Sequence, residues 1–263
     1  MSRASRQGRP VRLNRRLWNL GQRSQGRSRR FKRFGWLRKF PVKVVLGIAG
    51  LFFLFEIFTL PLFSIANLDT DNPKVTALMQ QRKEEAKDKG KTLRIDYRWV
   101  SLSRIPKHVR MAVLVAEDGA FYSHNGVDWH EVWESVETNL EKGRIVRGGS
   151  TITQQLAKNL YLSTSRDPIR KLKELLITWM LEARLTKKRI LELYLNIIEW
   201  GPGMFGIEAA AQRHFHKPAS QLSREEAARL AAVIPSPLRR RPTDDNDYVN
   251  DKAQLILKRM STR

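Results

Sequence analysis

"RDPIRKLKELLITWMLEARLTKKRILELYLN", Arg166 to Asn196, sets Ile169, Leu172, Leu176, Trp179 and Ala183 at spacings that fall on one face of a long helix. The same 3.6-residue period runs through 109–117, 151–162, 170–184, 187–199, 206–214 and 223–234, while strand-like alternation is short and rare. A chain segment patterned this way predicts a mainly α domain with no internal repeat. Arg170, Lys171 and Glu174 share one turn of the long helix, with Arg170 and Glu174 at i, i+4. Taken alone, that is an ordinary surface ion pair worth a few tenths of a kcal/mol.

Upstream lies "RGGSTITQQLAKN", Arg147 to Asn159. Thr151 and Gln154 have the spacing of a capping box, which predicts a helix starting at Ile152. Ile152, Leu156 and Leu160 form its apolar stripe, and Thr151, Gln155, Lys158 and Asn159 fall on another face. Gly148 and Gly149 leave the helix N-terminus uncovered, with Arg147 beside it. Free N–H groups, hydroxyls and cations gathered in this way suit an anion. The spacing G-x-x-x-x-G-K-[ST] is absent, so this is not a nucleotide P-loop.

Further upstream is "AEDGAFYSHNGVD", Ala116 to Asp128. Pro106 suits a helix start, Val109, Ala112, Val113 and Ala116 form a candidate buried face, and Gly119 suits a C-terminal cap. Glu117 and Asp118 then fall in the last turn, where the helix dipole disfavours negative charge and should push a carboxylate pKa upward. A proton acceptor working near neutrality gains from such a shift. A salt bridge to Arg110 or Lys107 is the competing structural reading.

The N-terminal portion has a different character. Of the net charge of +23, residues 1–43 hold fifteen Arg and Lys and no Asp or Glu, which leaves +8 for the rest. "VVLGIAGLFFLFEIFTLPLFSIA", Val44 to Ala66, would span roughly 35 Å as a helix, enough for a hydrocarbon core of about 30 Å. Glu56 costs about 2.5–3.5 kcal/mol at a bilayer centre, and fifteen Leu, Ile, Phe and Val at roughly −0.3 to −0.6 kcal/mol each outweigh it. Glu56 is either neutral or turned to a partner helix. The run is longer than a signal-peptide core, so the segment reads as an uncleaved anchor. Cations before it and Asp69 and Asp71 after it keep the N-terminus in the cytoplasm. The basic tail, with Trp18, Phe31, Phe34 and Trp36, reads as a juxtamembrane segment on anionic lipid headgroups rather than a nucleic-acid binder. The expected organisation is a basic tail (1–43), an anchor (44–66), and a solvated linker (67–94) that lifts the domain off the bilayer. The folded domain (95–242) and a helical C-terminal tail (243–263) follow. The chain has no Cys, which excludes disulfides and thiolate metal sites.

Together the blocks "EDGAFYSHNGVD", "GGSTITQQLAKNLYLS", "RKLKELLITWMLEARLTKKRILELYLN" and "GMFGIEAAAQRHFHKPASQLSREEAARLAAVIPSP" resemble, in order and spacing, the peptidoglycan glycosyltransferase family. That family includes the glycosyltransferase module of class A penicillin-binding proteins and the monofunctional peptidoglycan transglycosylases. S-x-x-K and K-T-G motifs are absent, which matches the monofunctional type. The resemblance implies a mainly α, lysozyme-like fold preceded by one transmembrane helix, and polymerisation of lipid II with inversion and release of polyprenyl pyrophosphate. It implies Glu117 as general base and Glu174 as the second carboxylate, near the leaving group or organising its cations. Lys158, Arg170 and Lys171 would hold the pyrophosphate. Asp118, Phe121, His124, Arg147, Gly149, Ser150, Thr151, Gln155 and Asn159 would complete the substrate-binding set. These implied roles reverse the surface-pair reading of Arg170 and Glu174.

No cofactor is required by the sequence. The resemblance allows a divalent cation, Mg2+ or Mn2+, at the departing pyrophosphate, although no ligand set reads as a metal site and His124 alone is not one. His214 and His216, in "RHFHK", read as the end of a structural helix. Pro202 in "EWGPGMFG" stands where many relatives carry a small or polar residue. Implied partners are lipid II, the growing glycan strand, the membrane, and proteins of the division or elongation complexes, with no nucleic acid. The rival readings are a lysozyme-like or lytic enzyme that cuts the glycan, and a non-catalytic membrane scaffold.

Overall fold

The computed structural model describes residues 42–144, 148–165 and 167–262. The basic tail through Pro41, Arg147 and Arg166 lie outside the described residues. Eleven α-helices are described: α1 (Val42–Phe58), α2 (Leu62–Asn67), α3 (Ala77–Asp88), α4 (Lys107–Glu117), α5 (Trp129–Glu141), α6 (Ile152–Tyr161), α7 (Pro168–Arg184), α8 (Lys187–Ile197), α9 (Ile207–Phe215), α10 (Arg224–Val233) and α11 (Asp247–Ser261). Strands β1 (Asp96–Tyr97), β2 (Glu199–Gly201) and β3 (Met204–Phe205) form one small sheet in the order β1-β3-β2. The mainly α expectation holds.

The apolar stretch Val42–Asn67 is long and apolar enough to cross a membrane. Its helix is interrupted between Phe58 and Leu62, where Pro61 lacks an N–H and clashes with the preceding turn. A compact unit begins at Phe58. Within it, α2 buries Ile65, and Leu68 just beyond is also buried. The Ser64 hydroxyl lies 3.1 Å from that of Tyr161.

The segment expected as a solvated spacer is part of this unit. Thr76 caps α3, and Leu78 and Met79 are buried against Phe205. Arg82 Nε donates to Glu199 Oε2 at 2.9 Å and Gln81 Nε2 to Thr164 Oγ1 at 2.6 Å. Two buried apolar residues and a buried ion pair hold the helix on the domain, so it does not act as a free spacer.

Six of the helices predicted from periodicity form within two or three residues of their expected limits, because the apolar period and the caps agree. Thr151 and Gln154 make the reciprocal capping box, as do Ser223 and Glu226. α6 packs on α7 and α8, while α10 packs on α4 and α11. Both groups share one core, whose largest fully buried side chains include Trp200, Tyr194 and Phe121. α11 contributes Val249, Ala253, Ile256 and Met260 to buried positions, so the folded unit extends past the expected end at 242. Fully buried Asn196 ties α8 to the strand region: its Oδ1 accepts from Val100 N and its Nδ2 donates to Val100 O, both at 2.8 Å.

Periodicity alone does not show which stripe faces inward. On α7, Ile169, Leu172 and Trp179 are each exposed, while Glu174, Ile177, Thr178 and Leu181 are buried. α5, which the periodicity reading passed over, likewise shows Trp129, Trp133, Val136 and Leu140 to the outside.

Candidate active site

The site is assembled where the C-terminal end of α4 meets the N-terminal half of α6. Glu117 is the last residue of α4 and is half-buried. Gln155 Nε2 donates to its Oε2 at 2.8 Å, and Tyr194 Oη donates to Gln155 Oε1 at 2.9 Å. The fully buried Tyr194 therefore fixes which end of the Gln155 amide faces the carboxylate. Neither Arg110 nor Lys107 pairs with Glu117 among the described residues. Burial pushes the Glu117 carboxyl up from its ordinary value, opposed by the Gln155 hydrogen bond and by Lys252 and Lys158. The direction matches the sequence expectation, but the main cause is desolvation rather than the helix dipole.

Asp118 is turned away from Glu117 into a second network. Its Oδ2 accepts from Ile152 N at 2.9 Å, which anchors the α6 N-terminus to the end of α4. His124 Nε2 lies 3.0 Å from Asp118 Oδ1, and Gly126 N donates to His124 Nδ1 at 3.1 Å. Since Nδ1 accepts, the imidazole proton sits on Nε2 and is donated to Asp118. Thr151 Oγ1 closes the ring by donating to Gly126 O at 2.6 Å. Gly126 has φ of +90°, and a Cβ there would lie 2.7 Å from Thr178 Cγ2. Phe121 is 1% exposed, with its ring edge-on to Tyr122 at 5.1 Å. Asp118, Phe121, His124 and Thr151 thus spend their contacts on the protein and set the relation of α4 to α6.

A cleft of about 700 Å³ opens beside Glu117, lined among others by Asp118, Glu131, Gly149, Ser150, Thr151 and Arg259. Gly149 lies against α5: a Cβ would meet Val132 Cα at 3.2 Å. Ser150 is exposed at the mouth.

Along α6, Lys158 and Asn159 follow Gln155. The Lys158 ammonium is half-buried and makes no ion pair among the described residues, and the largely buried Asn159 makes no side-chain hydrogen bond there. Burial pushes the Lys158 amine down. The charges of both Glu174 and Glu117 act on it in the opposite sense, while Arg170 and Lys171 add to the lowering. One cation is therefore coupled to both carboxylates. Glu174 is 3% exposed. Its Oε2 accepts from Arg170 Nη1 at 2.6 Å and its Oε1 from Lys171 Nζ. Burial separates this group from a surface ion pair. The carboxylate clamps two cations in one turn beside a third, and the cluster suits an incoming polyanion.

The structure thus brings Glu117, Gln155, Lys158, Glu174, Arg170 and Lys171 into one electrostatic group, with Asn159 next to Lys158 on α6, and Asp118, His124 and Thr151 into its support. Arg147 lies outside the described residues. Sequence reasoning missed Tyr194, Lys252 and Arg259. The last two come from α11, and only the packing of α11 on α4 brings them near Glu117.

The transglycosylase family model matches residues 86–261 of this chain. A biosynthetic peptidoglycan transglycosylase of Laribacter hongkongensis is 45% identical over 220 residues, covering 83% of this chain and 96% of that protein. Its counterpart in Nitrosospira multiformis is 41% identical over 233 residues, covering 88% and 97%. That of Aromatoleum aromaticum is 47% identical over 199 residues, covering 75% and 85%.

Proposed function

This chain belongs to the transglycosylase family, and on that premise we propose that it is a peptidoglycan glycosyltransferase of cell-wall synthesis that polymerises lipid II into glycan strands. The observation that carries the assignment of roles is the pair of environments described above. One carboxylate is half-buried with no ion pair among the described residues, and the other is buried and clamps two cations.

Glu117 is the general base. Burial raises its proton affinity toward the range useful near neutrality, and Gln155 holds one oxygen so that the other faces the cleft. It takes the proton from the acceptor sugar's 4-hydroxyl. That oxygen forms a bond to the anomeric carbon of the lipid-bound strand from the face opposite the leaving group. The carbon–oxygen bond to pyrophosphate breaks, its electron pair leaves with the polyprenyl pyrophosphate, and configuration inverts. Lys158, Arg170 and Lys171 offset the charge that develops there, and Glu174 acts by holding Arg170 and Lys171 in place. Ser150 and Asn159 carry polar groups toward the donor. Asp118, His124 and Thr151 act as positioning residues. A divalent cation, Mg2+ or Mn2+, would supply further counter-charge as the pyrophosphate departs; among the described residues no group of three metal-ligating side chains would hold it.

The membrane is the second part of the reading. The anchor keeps the basic tail in the cytoplasm on anionic lipid and places the domain on the outer face of the cytoplasmic membrane. The exposed Trp129, Trp133, Leu140, Leu172 and Trp179 suit a domain that works against a bilayer surface. Proteins of the division or elongation machinery are the partners such a location allows.

Product analysis tests the reaction type. Purified full chain in detergent, given lipid-linked disaccharide-pentapeptide, should release one polyprenyl pyrophosphate per disaccharide added, and all new linkages should be inverted relative to the donor. Retained linkages, or shortening of preformed strands without pyrophosphate release, would overturn it.

A further inference from the structure

We propose that a second cavity, bounded by β1, the β2–β3 hairpin, the end of α9 and residues 237–243, binds a compact phosphate-bearing anion. The cavity measures about 1070 Å³ and shares no lining residue with the Glu117 cleft. Arg94, Arg98, Arg213, Arg240 and Arg241 all line it. Arg98 is paired with Asp96 at 3.3 Å, and Arg240 lies 3.5 Å over the Tyr248 ring. The side chains of Arg94, Arg213 and Arg241 have no carboxylate partner among the described residues. The nearby Asp244 accepts instead from the Arg241 backbone N–H at 2.9 Å. These three guanidinium forks are exposed to solvent and line one concavity, which gives it a positive field suited to a multiply charged anion.

Two orphaned polar groups of the cavity wall make the ligand class more specific. Trp200 is fully buried and lines the cavity, and its Nε1–H has no acceptor among the described residues. His214 lies against the Trp200 backbone, and its Nε2 also has no partner. Buried polar atoms are normally satisfied, and leaving them bare is costly. A hydrogen phosphate supplies what both need. Its oxygens can accept from the guanidiniums and, once a side-chain shift uncovers the two buried nitrogens, from the indole as well, while its O–H donates to the imidazole. A carboxylate has too few oxygens and no proton to give. Burial, with Arg241 and Arg213, pushes the His214 imidazole down, as expected for a ring inside a cation cluster. Pro202, which the proposed catalytic roles leave unused, lines the same cavity.

The test uses the full chain in neutral detergent with 15N-labelled tryptophan, the Trp200 indole signal being assigned with Trp200→Phe. Inorganic phosphate and lysophosphatidylglycerol are titrated separately, with tetraglutamate as an acidic peptide control. We expect a saturable shift of the Trp200 signal. It should weaken at least about tenfold in Arg213→Gln/Arg241→Gln, which removes two charge-assisted donors, and persist in Lys158→Gln, which alters the cation cluster beside Glu174 and no residue lining this cavity. Saturation by phosphate alone identifies a soluble phosphate ligand, and saturation by the lysolipid alone a lipid headgroup. Both support the site. No saturable shift up to about 20 mM of either probe, the affinity of an incidental contact, would overturn it. So would a shift undiminished in the double variant, or one produced only by tetraglutamate. Unmoved signals from the other tryptophans show that the variants remain folded. The readout is independent of catalysis, so its failure leaves the glycosyltransferase reading untouched.

Discussion

Replacing Gln155 with leucine removes the one hydrogen bond donated to Glu117 among the described residues and keeps a side chain of similar volume. The donated N–H favours the ionised carboxylate, so its loss must raise the Glu117 pKa beyond the rise that burial already causes. A hydrogen bond to a charged group contributes about 1.5–3 kcal/mol, and cleft water recovers part of it. About 1.4 kcal/mol net corresponds to about one pH unit. A base must be deprotonated to act, so the acid limb of kcat/KM should move about one unit to higher pH. Tyr194→Phe, which removes only the group orienting Gln155, should move it by roughly 0.3 unit in the same direction. The assay is initial-rate polymerisation of fluorescent lipid-linked disaccharide-pentapeptide from about pH 5 to 9. If the rate of Gln155→Leu falls at every pH while the limb stays where it is, Gln155 serves the substrate and the coupling argued here is wrong.

Glu117→Gln should abolish turnover yet raise stability. Because the folded carboxyl titrates above its unfolded value, the folded state holds the proton more tightly, and wild-type stability declines as pH rises through the interval between the two values. The variant should match wild type near pH 4 and exceed it at neutrality, read as a higher Tm by calorimetry. Asp118→Asn places an amide where Ile152 N–H and His124 N–H both donate, and should cost about 2 kcal/mol in urea unfolding. Gly126→Ala forces a Cβ to 2.7 Å from Thr178 at a φ of +90°, and should lower Tm by several degrees, about 2 kcal/mol.

The helices were legible because local signals agreed. Thr151 with Gln154 and the apolar stripe of α6 each point to a start at Ile152, where the helix begins. What periodicity could not give was the direction of each face. Ile169, Leu172 and Trp179 read as an apolar face, yet it is the side of α7 bearing Glu174 that is buried. The buried side carries Glu174 and Thr178 and is the less apolar of the two, so the packing face is set by the neighbouring α6 and α8 and not by the helix's own pattern. The domain limits were drawn too narrowly for the same reason, since the core contributions of α3 and α11 come from a few residues each. In the site, residues within one turn, such as Arg170, Lys171 and Glu174, could be grouped from spacing. The bond between Asp118 and Ile152 N, and the relay from Tyr194 through Gln155 to Glu117, join residues more than thirty positions apart and exist only after folding.

The most direct test of the central claim compares wild type with Glu117→Gln, both shown to be folded, in detergent with fluorescent lipid-linked disaccharide-pentapeptide on a gel that resolves glycan polymers. Wild type should give a polymer ladder and the variant none. A ladder of undiminished intensity from Glu117→Gln, or wild-type protein that only cleaves preformed strands, would contradict it.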